Sequence, residues 1–388
     1  MHDDKPPLNI LQVLEPSGGG SGRHFVDLCG ALIARGHKVT AVYSPVRAEQ
    51  RFVEELMALP LSALYAVSMK RAPHPSDLTA LMTISGIMRR EGPFDIIHGH
   101  SSKAGYLIRL TVPGLRRVPR IYTPHAFRTM DPTLGSKGRL LFGTIEGLLG
   151  RYFSSKVICV SDDEYTHARA LGIPDKLLAT VVNGVAKPQE THRDAIRAHM
   201  GFGHDNFVFG FVGRLSPQKA PERLVRAFAA ASQTFGNARL AMVGFGELEA
   251  QTRALADELG VTGKLYLSSD IPGPAAMQAF DALVMPSRYE AMSYAMLEAA
   301  AAGKPLVLSD VGGASTVLTD GENGRLVANS DDTDELAAAL AAFVDPIQAQ
   351  RYTQAAQARK ERYTLDKMVD ETLAVYRSVL PPRGSSQD

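Results

Sequence analysis

The feature that most limits the fold is an alternation of short apolar, β-branched runs with helical spacers, played through twice along the chain. Asn9–Leu14 reads as a buried strand. The glycine-rich stretch 18–22 follows, then a helical pattern over 23–35 that stops at Gly36, and a second strand at Lys38–Tyr43. Apolar runs recur at 95–98, 120–123 and 156–160. A polar interval, 187–206, containing Pro188, breaks the pattern, which restarts at 207–212 and continues at 240–243, 264–267, 282–285 and 305–308. Strands separated by helices are βαβ units, and βαβ units make parallel sheets. The expectation is α/β: two doubly wound domains in tandem, 1–187 and 188–365, with a C-terminal helix and tail at 366–388. The end of the chain, 333–380, reads as helical and 381–388 as a disordered tail. A length of 388 residues suits two domains of ordinary size, and 45% apolar residues can fill two cores. No short internal repeat is present.

Several function classes fall away. Forty-two Lys/Arg face forty-one Asp/Glu, and a net charge of +1 argues against a nucleic-acid binder. Two cysteines, Cys29 and Cys159, both in apolar runs, exclude a disulfide framework and suit a reducing cytosol. No run approaches the ~18 consecutive apolar residues of a membrane span, and the polar N-terminus lacks the apolar stretch of a signal peptide. No HExxH or His/Cys cluster of ligand spacing appears, so no metal and no cofactor are expected.

The charge is uneven. Residues 1–185 carry 22 basic and 16 acidic side chains, and 186–388 carry 20 and 25. From Lys103 to Lys156, ten Lys/Arg face only Asp131 and Glu146. Within that stretch 137–156 mixes apolar residues with Lys137, Arg139 and Arg151. Such a helix suits an anionic membrane surface or an acidic substrate. A core-facing amphipathic helix with solvated cations is the competing reading.

Four motifs sit where doubly wound sheets place chemistry, just past strand carboxyl ends. Gly18-Gly19-Gly20-Ser21-Gly22 lets backbone N–H groups approach an anion at a helix start, although a plain tight turn also explains it. It is neither a P-loop nor a dinucleotide fingerprint, because the second strand ends in Tyr43-Ser44-Pro45 with no acid. Gly213-Arg214-Leu215-Ser216-Pro217-Gln218-Lys219 offers a guanidinium fork and an ammonium on one loop, a clamp for a diphosphate. Glu290 and Glu298 bracket Ala291-Met292-Ser293-Tyr294, a segment where Ser293 can cap a helix whose free N–H groups would meet a phosphate. The carboxylates can bind sugar and ribose hydroxyls, or merely line a solvated helix. Last, His98, His100 and Lys103 follow one strand and His125 the next. Histidines there can orient a substrate, or sit satisfied in a core.

Taken together, Gly19-Gly20, the HGHSSKAG run from His98, YTPHA from Tyr122, Asn183-Gly184, GRLSPQK from Gly213, the E-x7-E pair and Asp320-Gly321-Glu322-Asn323-Gly324 resemble the retaining glycosyltransferases of family 4. The resemblance spans roughly 8–375 and is narrower toward bacterial enzymes that build exopolysaccharide or capsule units on a polyprenyl-diphosphate lipid. It implies a GT-B fold, two Rossmann-like domains facing a cleft with C-terminal helices crossing back. It further implies that Arg214 and Lys219 hold the donor diphosphate, Glu290 the transferred sugar and Glu298 the ribose. Gly19, Gly20, Ser293 and Tyr294 would complete the donor site, and His125 would face the sugar. His98, His100, Lys103 and Ser161 would lie on the acceptor side. Two departures bear on the donor sugar: Ala291-Met292-Ser293 replaces Gly-x-Pro, and Ser315-Thr316 stands where the family usually has a Glu.

The function expected is therefore transfer of a hexose from GDP-mannose or a UDP-sugar to a lipid-linked or soluble glycan, with retention and without a metal. The enzyme would work in the cytoplasm, peripheral at the inner face of the cytoplasmic membrane, docked to anionic lipid through 137–156. A UDP-sugar 2-epimerase of the same fold and a non-catalytic sugar-nucleotide-binding partner are the alternatives.

Overall fold

The structure, a computed structural model, describes residues 6–111, 118–131, 134–186, 192–290 and 292–381. The expected domain boundary at 187/188, Ala291, and all but the first residue of the expected tail lie outside the described residues. The chain forms two compact units, Met1–Gly184 with Leu365–Asp388, and Val185–Thr364. The C-terminal helix Leu365–Ser378 is thus part of the first unit rather than a separate piece.

The first unit is built on seven parallel strands: β1 (Asn9–Leu14), β2 (Lys38–Tyr43), β3 (Ala63–Ala66), β4 (Ile96–His100), β5 (Arg120–Thr123), β6 (Lys156–Cys159) and β7 (Leu178–Thr180), in the order β3-β2-β1-β4-β5-β6-β7. Both faces of the sheet are covered, so its strands are apolar almost throughout. Side chains alternate across it: Ile10 and Leu14 pack with Phe25 and Leu28, whereas Leu11 and Val13 pack with Ile84 and Ile108. Strands β3 and β7, and the strand Gly324–Val327 of the second unit, escape a reading of the sequence: Ala63–Ala66 is a half-exposed edge strand, Leu178–Thr180 has only three residues, and Gly324–Val327 begins in a glycine and carries Arg325. The first helix runs Gly19–Ala34 and starts four residues earlier than its periodicity predicts. The turn from β1 is short, so glycines form the helix's first turn, where N–H groups have no intrahelical partner.

The second unit has six parallel strands: β8 (Phe207–Val212), β9 (Ala238–Val243), β10 (Leu265–Ser268), β11 (Ala282–Met285), β12 (Leu306–Ser309) and β13 (Gly324–Val327), ordered β10-β9-β8-β11-β12-β13. Phe209, Phe228, Phe235 and Phe343 centre its core. In each unit the strand order reverses once, between β1 and β4 and between β8 and β11. These are the switch points where such sheets bind ligands.

The basic stretch is less exposed than its sequence suggests. Lys103, Arg109 and Arg120 are buried, Lys103 against Asp77 at 2.6 Å and Arg109 against Glu146 at 2.8 Å. The Arg120 Nε donates to the Ile108 carbonyl at 2.9 Å. Helix Ser136–Phe153 turns glycines inward: a Cβ on Gly147 would stand 2.3 Å from the Leu171 carbonyl oxygen, and one on Gly150 2.5 Å from Ile173. Its outer face carries Leu140, Leu141, Leu148 and Tyr152, exposed at 74%, 58%, 52% and 66%.

Candidate active site

In the second unit the loop after β8 is held by close backbone approach. A Cβ on Gly244 would fall 1.9 Å from the Gly213 carbonyl oxygen, which only glycine avoids. The loop after β11 is tied to it: Arg288 N donates to Gln218 O at 2.8 Å, Gln218 Nε2 to Tyr289 O at 3.0 Å, and Arg288 Nη1 to Pro217 O at 2.8 Å. This tie brings Lys219 Nζ to 2.5 Å from Glu290 Oε1, with both side chains largely buried. Arg214 is exposed on the same loop and pairs with no group among the described residues. The site therefore combines an internally balanced ion pair with a cation facing solvent. An exposed guanidinium beside an ammonium–carboxylate pair is chemistry that can attract a diphosphate.

Helix Tyr294–Ala301 begins next, with Glu298 half-buried in it and Tyr294 half-buried at its first position. The cap expected of Ser293 is corrected. Ser293 holds the N-cap position, but its hydroxyl makes no bond to a helix amide and lies 3.8 Å from Met285 Sδ, because the side chain is buried toward β11.

In the first unit the histidines converge. His98 Nε2 meets Thr123 Oγ1 at 2.8 Å, and His98 Nδ1 meets the Tyr376 hydroxyl at 2.6 Å. Gln12 Nε2 donates to the same hydroxyl at 3.0 Å, and Gln12 Oε1 meets His100 Nε2 at 2.8 Å. His100 Nδ1 then meets His125 Nε2 at 3.1 Å. The directions follow from the Gln12 amide: its oxygen only accepts, so His100 carries its proton on Nε2 and accepts from His125 on Nδ1. The Tyr376 hydroxyl accepts from Gln12 and donates to His98. A chain of neutral imidazoles thus runs from the C-terminal helix to His125. Burial, then the neighbouring rings, holds His98, His100 and His125 well below the usual histidine range. Burial also takes His24 down to about 4. Both ring nitrogens of His24 lack a hydrogen-bond partner among the described residues. Nitrogens of His24, His100 and His125 lie within 4.8 Å of one another, a spacing compatible with a cation. Both His100 nitrogens are engaged in hydrogen bonds, one with Gln12 and one with His125.

The remaining expected residues are scattered in role. Gly19 and Gly20 are exposed at the start of their helix. Lys103 turns away from the histidines into its pair with Asp77 and the Ala72 carbonyl. Ser161 caps helix Asp162–Ala170, its Oγ accepting from Glu164 N at 3.1 Å. Sequence reasoning missed Gln12, His24, Tyr376 and Glu164. Gln12 had a visible signal, as the one polar residue within the otherwise apolar 10–14. Glu164, buried to 1% exposure, accepts from Ala126 N at 2.6 Å and Val160 N at 2.7 Å. Burial raises its carboxyl to about 7 despite those two donors.

Comparison with known proteins bears on the family and the fold. Residues 18–187 match Glycosyltransferase Family 4, and residues 192–359 match Glycosyl transferases group 1. A D-inositol 3-phosphate glycosyltransferase of Acidothermus cellulolyticus is 27% identical over 405 residues, covering 94% of this chain and 87% of the relative. The UDP-Gal:alpha-D-GlcNAc-diphosphoundecaprenol alpha-1,3-galactosyltransferase of Escherichia coli is 27% identical over 267 residues, covering 66% of this chain and 67% of the relative. Among solved structures, Anabaena HepE in complex with UDP shares the fold with a TM-score of 0.78 at 22% identity, over 96% of this chain and 100% of that one. The two family models together span most of a chain built on two parallel, Rossmann-like sheets: it is a GT-B glycosyltransferase and belongs to family 4.

Proposed function

We propose that the enzyme transfers a hexose, with retention, from a UDP-sugar to a polyprenyl-diphosphate-linked saccharide in polysaccharide assembly at the cytoplasmic face of the membrane. The observation that carries the donor half is the Lys219–Glu290 pair at 2.5 Å beside unpaired Arg214. The E. coli relative, named for a UDP-Gal donor and a diphosphoundecaprenol acceptor, favours this donor and acceptor class over GDP-mannose. Arg214 and Lys219 hold the diphosphate, Glu290 takes sugar hydroxyls, and Glu298 takes the ribose. Fixed cations stabilise the charge that grows as the bond from C1 to the diphosphate oxygen breaks. The acceptor oxygen attacks C1 from the same face, and its proton passes to the departing phosphate. The family resemblance assigns His125 to the transferred sugar, and with its Nε2 proton committed to His100, Nδ1 is the ring nitrogen left to accept a hydrogen bond.

A lipid-linked acceptor stays in the bilayer, so the enzyme goes to it. The outward face of helix Ser136–Phe153, with Leu140, Leu141, Leu148 and Tyr152 beside Lys137 and Arg151, suits anionic lipid: apolar area for the interface and cations for the headgroups. The deciding experiment incubates labelled UDP-glucose, UDP-galactose, UDP-N-acetylglucosamine and GDP-mannose with enzyme and a bacterial lipid extract. Label moving into the lipid phase from a UDP-sugar, and lost in Glu290→Ala, supports the reading. Label only from GDP-mannose overturns the donor assignment, and transfer only to soluble glycans overturns the acceptor.

A further inference from the structure

His125 (φ 50°) and Ala126 (φ 79°) are consecutive non-glycine residues in the left-handed region. Side-chain-bearing residues avoid that region, and it persists only where surroundings enforce it. The enforcing contact is visible. Ala126 N donates to Glu164 Oε1 at 2.6 Å, and Glu164 Oε2 accepts from Val160 N, just past β6, at 2.7 Å. One buried carboxylate thereby ties the turn after β5 to the neighbouring strand end. Glu164 is itself fixed, as the third residue of a helix capped by Ser161.

We propose that Glu164 is a positioning residue for glycosyl transfer: its carboxylate clamps the left-handed His125–Ala126 turn and so sets the His125 ring against His100. The catalytic part rests on the reading of His125 as the residue facing the sugar; the structural part stands alone. Glutamine at 164 is isosteric but has one acceptor oxygen, so its amide group opposes one of the two backbone N–H donors. The turn then relaxes, and the His125 ring leaves its present place.

The test uses the full chain with 13C-labelled histidine, comparing wild type with Glu164→Gln, and measures amide exchange, the histidine spectrum and transfer in the lipid-extract assay. Expected for Glu164→Gln are at least tenfold faster exchange at Ala126 and a shifted His125 resonance, with His199 and His204 of the other unit unchanged. Transfer should lose about tenfold or more in kcat, with donor KM within about threefold. The double variant with His125→Ala should be no slower than His125→Ala alone, because both changes remove one function. Adding Ala126→Gly to Glu164→Gln should restore kcat in part, since glycine holds φ 79° unaided. This rescue also separates loss of the clamp from loss of folding. Unchanged exchange at Ala126, or an unmoved His125 resonance, overturns the clamp. Additive losses, or no rescue, overturn its catalytic role. If His125→Ala transfers like wild type, the reading of His125 fails while exchange and spectrum still decide the clamp.

Discussion

Replacing Leu140 and Leu148 together by Ser should detach the enzyme from membranes without unfolding it. The two side chains are 74% and 52% exposed, so folding leaves about two-thirds of their surface for a partner. Burying a whole leucine is worth about 1.5–3 kcal/mol, so the pair should contribute about 2–4 kcal/mol in the interface. That corresponds to a roughly 30- to 700-fold fall in vesicle partitioning. Lys137 and Arg151 should add about 1 kcal/mol each on anionic lipid, and this part fades with salt. Arg139 does not belong to the same test: its guanidinium donates to the Leu134 and Asp131 carbonyls, so its loss disturbs the helix start. The assay is sedimentation with vesicles of neutral lipid or of neutral plus anionic lipid, over a salt series. Wild type should sediment with anionic vesicles. The leucine variant should lose most binding at every salt concentration, and Lys137→Ser/Arg151→Ser should lose the salt-sensitive part. Thermal stability should hold in both, because exposed helix positions tolerate polar residues. Sedimentation of the leucine variant like wild type would refute the reasoning, as would a wild type that never binds.

Further outcomes follow from the two sites. Arg214→Ala should weaken nucleotide-sugar binding roughly 10- to 150-fold, from the loss of a charge-assisted contact, and leave the melting temperature alone because Arg214 is exposed. Lys219→Ala should lower both, since it strands the buried Glu290 carboxylate; calorimetry with UDP beside a melting curve separates them. Glu290→Ala should reduce kcat more than Glu298→Ala, which should act mainly on donor KM; steady-state kinetics decide this, and equal small effects would reduce the pair to a helix face. Tyr376→Phe leaves Gln12 Nε2 and His98 Nδ1 without their shared hydroxyl, so it should cost about 1–3 kcal/mol of stability in denaturant titration. Acid should destabilise the protein. Native His24 takes a proton only near pH 4, whereas the unfolded chain takes it near 6.5, so stability falls by about 3 kcal/mol as pH drops through that window. His98, His100 and His125 act in the same sense. Glu164 opposes them, since it holds its native proton up to about 7 and loses stability as pH rises from 4.5, but it is one group against four. Melting from pH 7 to 4 checks this, and His24→Gln should flatten the slope.

By itself the sequence determined the strand–helix alternation, both parallel sheets and the loops that carry Arg214, Lys219, Glu290 and His125. Those are local properties: a run of apolar residues, its period and the punctuation around it specify an element wherever it ends up. Even the single polar residue in the first strand, Gln12, was legible as an anomaly, though not its purpose. Tertiary structure alone decided that Gln12 meets Tyr376, 364 residues away, and that Glu164 reaches back 38 residues to Ala126. Hydrogen-bond partners are chosen by proximity in space, and a lone Tyr or Glu on an amphipathic helix looks the same whether solvated or buried. The same limit left open which face of Ser136–Phe153 packs inward. Leu149 and Glu146 turn inward with Gly143, Gly147 and Gly150, and at Gly147 and Gly150 the Leu171–Ile173 segment passes too close for a side chain, a proximity that is a property of the fold.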